Sequence, residues 1–223
     1  MERTKLKDRI LPTYSKGEEI FNMTSHIIGA ALSVAALVIC IVLSAIHHDP
    51  WAVVGSSIYG ASLILLYIMS SVYHGLHPNM GKKVLQILDH CTIYFLIAGT
   101  YTLVCLAALR RTSPVACWVL FGIIWGLAAL AITLTAIDIK KYQVFSMICY
   151  VGMGWGILFA WKPLKEAISI QGVYWLLGGG ICYTIGAILY GVGKKFKWIH
   201  SIFHLFVLAG SILHFFCMIL YVI

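Results

Sequence analysis

Of 223 residues, 61% are hydrophobic and 11% are charged, and the mean hydropathy is +0.93; a soluble domain carries about a quarter of its residues charged, so a water-soluble globular fold is excluded. The formal charge of +8 lies in short Lys/Arg clusters between apolar runs, a membrane-topology pattern that leaves no basic, aromatic-interleaved stripe for nucleic acid. The seven cysteines are scattered without a CxxC or a paired spacing, which reads as buried free thiols and excludes a disulfide framework.

In chain order, residues 1–19 form a polar segment expected in the cytoplasm, and residues 20–223 form a single transmembrane domain. Apolar runs fall at 20–46, 52–76, 84–109, 114–137, 143–161, 171–192 and 198–222. Each is sufficient to cross a hydrocarbon core about 30 Å thick. The first is far longer than a signal-peptide core and stays in the membrane as a helix. All five prolines (Pro12, Pro50, Pro78, Pro114, Pro163) fall before or between the runs, where helices stop. Gly152, Gly154 and Gly156 soften the limits of the fifth run. The expected fold is an all-α integral membrane protein, a seven-transmembrane helix bundle. The pairs Gly122/Gly126 and Gly152/Gly156 stand at helical spacing and predict close helix packing.

Basic residues set the orientation. With the N-terminus cytoplasmic, the inner stretches hold Arg3, Lys5, Lys7, Arg9, Lys16, Lys82, Lys83, Lys140, Lys141, Lys194, Lys195 and Lys197. The outer stretches hold Arg110, Arg111, Lys162 and Lys165. Twelve against four is a strong positive-inside bias. Seven crossings then put the C-terminus outside.

Ionisable groups are costly within a membrane, so their placement carries information. The second run ends inward on Ser70 and His74, the third begins with Asp89 and His90, and the seventh begins with His200 and His204. Three helices thus bring His74, Asp89, His200 and His204 to one cytoplasmic-side layer. His200 and His204 are one turn apart on one helix face, and Ser70 stands in the same relation to His74. Three imidazoles with a fourth position open to water form a catalytic Zn²⁺ arrangement. Asp89 would hold or deprotonate that water, or ligate directly. Zinc acidifies its water and polarises a carbonyl, and in this setting the natural substrate is a lipid acyl group. The plainer reading of an HxxxH on an apolar helix is two packed histidines.

The remaining polar residues separate by position. His26, at the inner end of the first run, is a reserve ligand. His90 points about 100° away from Asp89 and is expected beside the site or in a structural role. His214 lies about 15 Å deeper than His204 and reads as an interhelical hydrogen-bonding histidine. His47, His48, Asp49 and His77 are expected in solvated loops. Glu18, Glu19 and Asn22 are expected to cap the first helix or to pair with inner-loop lysines.

These motifs resemble the bacterial hemolysin III proteins, grouped with the progestin and adipoQ receptors and the adiponectin receptors. The resemblance covers nearly the whole chain. It is carried by Glu18-Glu19-Ile20-Phe21-Asn22 with His26, by Ser70-Ser71-Val72-Tyr73-His74, by the stretch from Leu88 to Thr102, and by His200 through His204 to His214-Phe215. Met153-Gly154-Trp155 and Tyr183-Thr184-Ile185-Gly186 add to it. Two departures are Ser25 where threonine is expected and Leu103 where proline is expected.

The resemblance implies seven helices with the N-terminus inside and a zinc ion on His74, His200 and His204. It implies that Asp89 contacts the zinc-bound water and that Ser70 is the matching helix-two serine. The wider superfamily includes alkaline ceramidases, which implies hydrolysis of a lipid amide or ester in the cell (plasma or inner) membrane. The alternative is a non-catalytic membrane-homeostasis or lipid-sensing protein with structural zinc. A cytolytic pore former, which the family name suggests, fits less well, because no run carries a sustained polar stripe. A retinal pigment is excluded, since no lysine follows Lys197. Membrane lipids are the expected partners.

Overall fold

A computed structural model of the protein describes residues 3–193 and 196–223, and the expectation for Lys194 and Lys195 lies outside the described residues. Helix α1, Lys16–Ile46, starts where Ser15 and Glu18 cap each other. Ser15 Oγ accepts from the Glu18 amide at 3.3 Å, and Glu18 Oε2 accepts from the Ser15 amide at 2.9 Å. Helix α2, Pro50–Gly75, is capped by Asp49, with Pro50 at the first position, where a missing N–H removes no intrahelical bond. Helix α3, Met80–Leu103, is capped by Asn79 and continues through a π-turn, Val104–Leu109, into Arg110–Thr112. Helix α4, Pro114–Ile137, begins at the Ser113 cap and Pro114. Then follow α5, Gln143–Trp155, a 3₁₀ turn, Gly156–Ala160, and α6, Trp161–Val192. The last helix, α7, is Ile199–Cys217 and runs on through Met218–Val222.

Six helical runs among the described residues are long and apolar enough to cross a membrane, rather than the expected seven. The difference arises because residues 143–192 form one 50-residue run. Straight, it would be about 75 Å long, more than twice the hydrocarbon core. It is interrupted at Ser169, whose φ of 60° and ψ of 169° are non-helical. The gap expected between the fifth and sixth runs thus shrinks to a single residue. Pro163 sits inside the first turn of α6 rather than between helices, a position whose amide has no intrahelical partner to lose.

The packing is inverted relative to a soluble protein. The buried face of α1 is small and polar, with Gly29, Ser33, Ala36, Cys40 and Ser44 in line, while Ile28, Leu32, Val38 and Val42 point outward. In lipid, small residues let helices approach closely, because apolar bulk gains nothing by being buried. A Cβ at Gly29 would lie 2.5 Å from the Tyr67 ring, and one at Gly60 would lie 2.4 Å from Leu37, so α1 and α2 are in near-backbone contact. Gly122, Gly126 and Gly152 behave differently. They face outward with nothing within 4 Å of an added Cβ, so they do not pack helices within the chain as expected. The central element is α3, where Leu103, Ala107 and Leu109 are fully buried.

The N-terminal segment is tied across one end of the bundle. The Thr4 amide donates to Asp138 Oδ2 at 2.7 Å, Arg3 Nε donates to the Ile137 carbonyl at 3.0 Å, and Lys83 Nζ donates to the Lys7 carbonyl at 2.6 Å. The opposite end holds the C-terminus, whose Ile223 carbonyl lies 3.0 Å from His47 Nδ1. Asp49, expected in solvent, is buried there. It caps α2 and pairs with Arg111. Burial raises its carboxyl pKa, but the hydrogen bonds from Arg111, Ala52 and Trp51 outweigh this and hold it below the usual range.

Candidate metal centre

The last turn of α2 and the first turns of α7 deliver three buried histidines to one point. His200 and His204 share a face of α7 because four residues make about one turn, and their Nε2 atoms lie 3.1 Å apart. His74 arrives from α2 with ring centroids 5.3 Å from His200 and 4.9 Å from His204. One ligand atom from each of the three lies within 4.8 Å of the others.

The donor chemistry fits a cation. His74 Nδ1 is 2.6 Å from Glu19 Oε2. A carboxylate only accepts, so Nδ1 carries the proton and Nε2 holds a lone pair. That Nε2 is buried and has no hydrogen-bond partner among the described residues. Two further nitrogens face each other at 3.1 Å, close to the roughly 3.3 Å edge between nitrogens 2.0–2.1 Å from a tetrahedral zinc. The buried three-histidine group can hold a metal ion.

Glu19 is the contributor the sequence reading assigned differently. It pairs with a lysine as expected, Lys82 in the first turn of α3, whose Nζ lies 2.6 Å from Oε1. Its second oxygen, however, goes to His74, as carboxylates do behind metal-bound histidines. Glu18 stays with the cap and also accepts from the Trp198 amide at 2.7 Å, which docks the left-handed residue before α7 onto α1. An acidic residue one helix away from an inward-facing histidine was the available signal.

Other candidates fall around this centre. His26 stacks on His204, with centroids 3.8 Å apart, and lies outside the converging trio. Tyr14, from the N-terminal segment, stacks on His200 at 4.8 Å, and burial pushes its phenol pKa far above the usual range. Ser70 and Asp89 line the same internal cavity as His200 and His204. His90 also lines the cavity, with Nδ1 2.8 Å from the Gln86 carbonyl and Nε2 2.8 Å from the Tyr190 hydroxyl. His214 bonds across to α6, with Nε2 3.0 Å from the Leu176 carbonyl. His47, His48 and His77 are exposed.

The cavity runs from the histidine layer into the middle of the bundle. Its walls are mainly apolar and include Ile93, Leu96, Ile97, Val104, Ile157 and Val207. An ionisable cluster at one end of a long apolar cavity suits an amphiphile with a polar head and a greasy tail.

Fold and site together define a multi-pass cell-membrane protein with a buried histidine centre able to hold a metal. The family model described as haemolysin-III related matches residues 14–215, and the chain belongs to that family. It is 44% identical over 206 residues to Hemolysin-3 of Bacillus cereus, covering 92% of each chain. It is 39% identical over 204 residues to the Hemolysin-3 homolog of Bacillus subtilis (strain 168), covering 92% of this chain and 94% of the relative. The monocyte to macrophage differentiation factor of Homo sapiens is similar at 28% identity over 142 residues, covering 60% of this chain and 57% of that protein. No solved structure matches the chain.

Proposed function

We propose that the protein is a zinc-dependent hydrolase of a lipid amide or ester, acting at the inner leaflet. The observation that carries this reading is that His200 and His204, two of the three converging histidines, line the same apolar cavity as Ser70 and Asp89. His74, His200 and His204 would hold the zinc, which when bound supplies a Lewis acid for an acyl carbonyl and acidifies a water. Asp89 takes the proton of the attacking water and delivers it to the leaving amine or alcohol. Ser70 orients the scissile carbonyl through its hydroxyl. Glu19 keeps the proton of His74 on Nδ1, and the cavity wall holds the acyl chain and excludes bulk water.

The same proposal includes seven crossings with residues 1–19 in the cytoplasm, in a single domain. Two observations support it: the interruption at Ser169 within an otherwise overlong run, and the C-terminus meeting His47 at the end of α1 opposite Tyr14. An odd number of crossings accounts for both. A periplasmic or extracellular cysteine tag at the C-terminus should react with an impermeant maleimide in intact cells, and a cytoplasmic one should not.

A second reading, a membrane-homeostasis or lipid-sensing protein with structural zinc, draws support from Tyr14, which covers His200 from the N-terminal segment. Turnover separates the two. Metal-loaded protein mixed with ceramides and acyl esters should release fatty acid, and Asp89→Asn should lose release while keeping its metal. A loaded wild type that releases nothing across that panel contradicts the hydrolase and favours the structural role.

A further inference from the structure

The deep end of the cavity carries a polar pair that the hydrolytic chemistry does not use. His214 of α7 and Tyr183 of α6 both line the cavity, with ring centroids 5.2 Å apart. Each ring is seated in a glycine notch on the other helix. A Cβ at Gly179 would lie 2.1 Å from His214 Cδ2, and one at Gly210 would lie 2.9 Å from the Tyr183 ring. Two reciprocal notches hold two polar rings side by side in an apolar wall.

The protons of this pair can be placed. The Leu176 carbonyl can only accept, so His214 Nε2 donates to it at 3.0 Å and Nδ1 presents a lone pair. That Nδ1 is buried and has no hydrogen-bond partner among the described residues, and His214 is 8% exposed. The Tyr67 hydroxyl donates to Ser211 Oγ at 2.7 Å, and Ser211 Oγ lies 2.8 Å from the Tyr183 hydroxyl. Once Ser211 has accepted from Tyr67, its own proton can go to Tyr183, which leaves the Tyr183 proton free. The pair therefore offers one acceptor and one donor, the complement of a single hydroxyl group. A buried acceptor without a donor is costly to leave unsatisfied.

We infer that His214 and Tyr183 form a hydroxyl-reading station, and that the cavity favours acyl chains hydroxylated at mid-chain. The ligand hydroxyl donates to His214 Nδ1 and accepts from Tyr183. His214 lies ten residues beyond His204 on one helix, about 15 Å along the axis. An extended chain advances roughly 1.2 Å per bond, so a head group at the histidine layer puts about the twelfth carbon beside the station. This inference rests on the proposal that the cavity holds an acyl chain.

The test is binding to metal-loaded protein in detergent, measured by displacement of a fluorescent fatty acid. The probes are octadecanoate, its 12-hydroxy derivative and its 2-hydroxy derivative. The two added hydrogen bonds, offset in part by desolvation of the ligand hydroxyl, predict about a five- to tenfold preference for the 12-hydroxy acid over octadecanoate, and no such gain for the 2-hydroxy acid. His214→Phe keeps the ring volume and should bring the ratio to about one. Tyr183→Phe leaves the Leu176 bond intact and should reduce the ratio severalfold, which covers the case in which His214→Phe fails to fold. Equal binding of the two acids to wild type, or a preference that survives in Tyr183→Phe and His214→Phe, overturns the station while leaving the acyl reading intact. Binding of none of the three acids overturns both.

Discussion

Helix α7 carries the same side chain in two settings, and the contrast shows what gives a buried histidine its role. At one end of the bundle, His200 and His204 face each other and His74, and the Nε2 atoms of His200 and His204 lie 3.1 Å apart. In mid-bundle, His214 faces the Leu176 carbonyl, which fixes its proton on Nε2 and ties α7 to α6. Spacing alone cannot distinguish these outcomes. The first setting collects lone pairs and suits a cation; the second spends one nitrogen on the fold and leaves the other for a ligand.

The largest effect expected from breaking this contrast comes at the three-histidine end. His204→Ala should abolish metal binding, measured as zinc per chain after size-exclusion chromatography, whereas His214→Phe should keep the wild-type content. Next is the group behind His74. Glu19→Ala removes the acceptor that holds Nδ1–H and should weaken metal affinity about 10- to 100-fold in a chelator competition. Glu19→Gln, which retains an acceptor oxygen, should lie between that variant and wild type.

Packing provides a smaller and sharper pair. Gly179→Ala drives a methyl into the His214 ring, and overpacking of this kind costs about 1–3 kcal/mol, readable as a lowered thermal midpoint in detergent. Gly122→Ala meets nothing within 4 Å and should stay within about 0.5 kcal/mol of wild type. The smallest effect is at the N-terminal strap. Burial raises the Asp138 carboxyl pKa, but the amides of Thr4, Lys141 and Lys140 outweigh it and hold the value at about 2. A depressed carboxyl stabilises above its unfolded pKa and loses that contribution as pH falls. Protease sensitivity of residues 3–13 should therefore rise only below about pH 4, and Asp138→Asn should remove that pH dependence.

Much of this was legible in the sequence because lipid imposes simple constraints. Apolar run length located most of the helices, and Pro50 and Pro114, expected at the ends of runs, stand at the first positions of two helices. The convergence of His74, His200 and His204 at one end of the bundle followed from reading each run in its direction of crossing. What was not legible depends on rotation and single-residue geometry. Nothing at position 169 signals its positive φ, since a serine rather than a glycine or asparagine stands there. The pairing of Glu19 with His74 requires knowing which faces of α1 and α2 meet. Gly122 and Gly179 look alike as letters, yet one faces outward and the other admits His214. Asp49 sits in a short loop between helices, and its burial comes from Arg111 at the end of the α3 run.

The central claim is that the layer of His74, His200 and His204 is a zinc site, and metal content tests it most directly. Protein purified without chelator, beside His74→Ala and His200→Ala, should contain about one zinc per wild-type chain and almost none in either variant. A wild type without zinc, or variants that retain it, would contradict the account and leave the three histidines as a packed polar cluster.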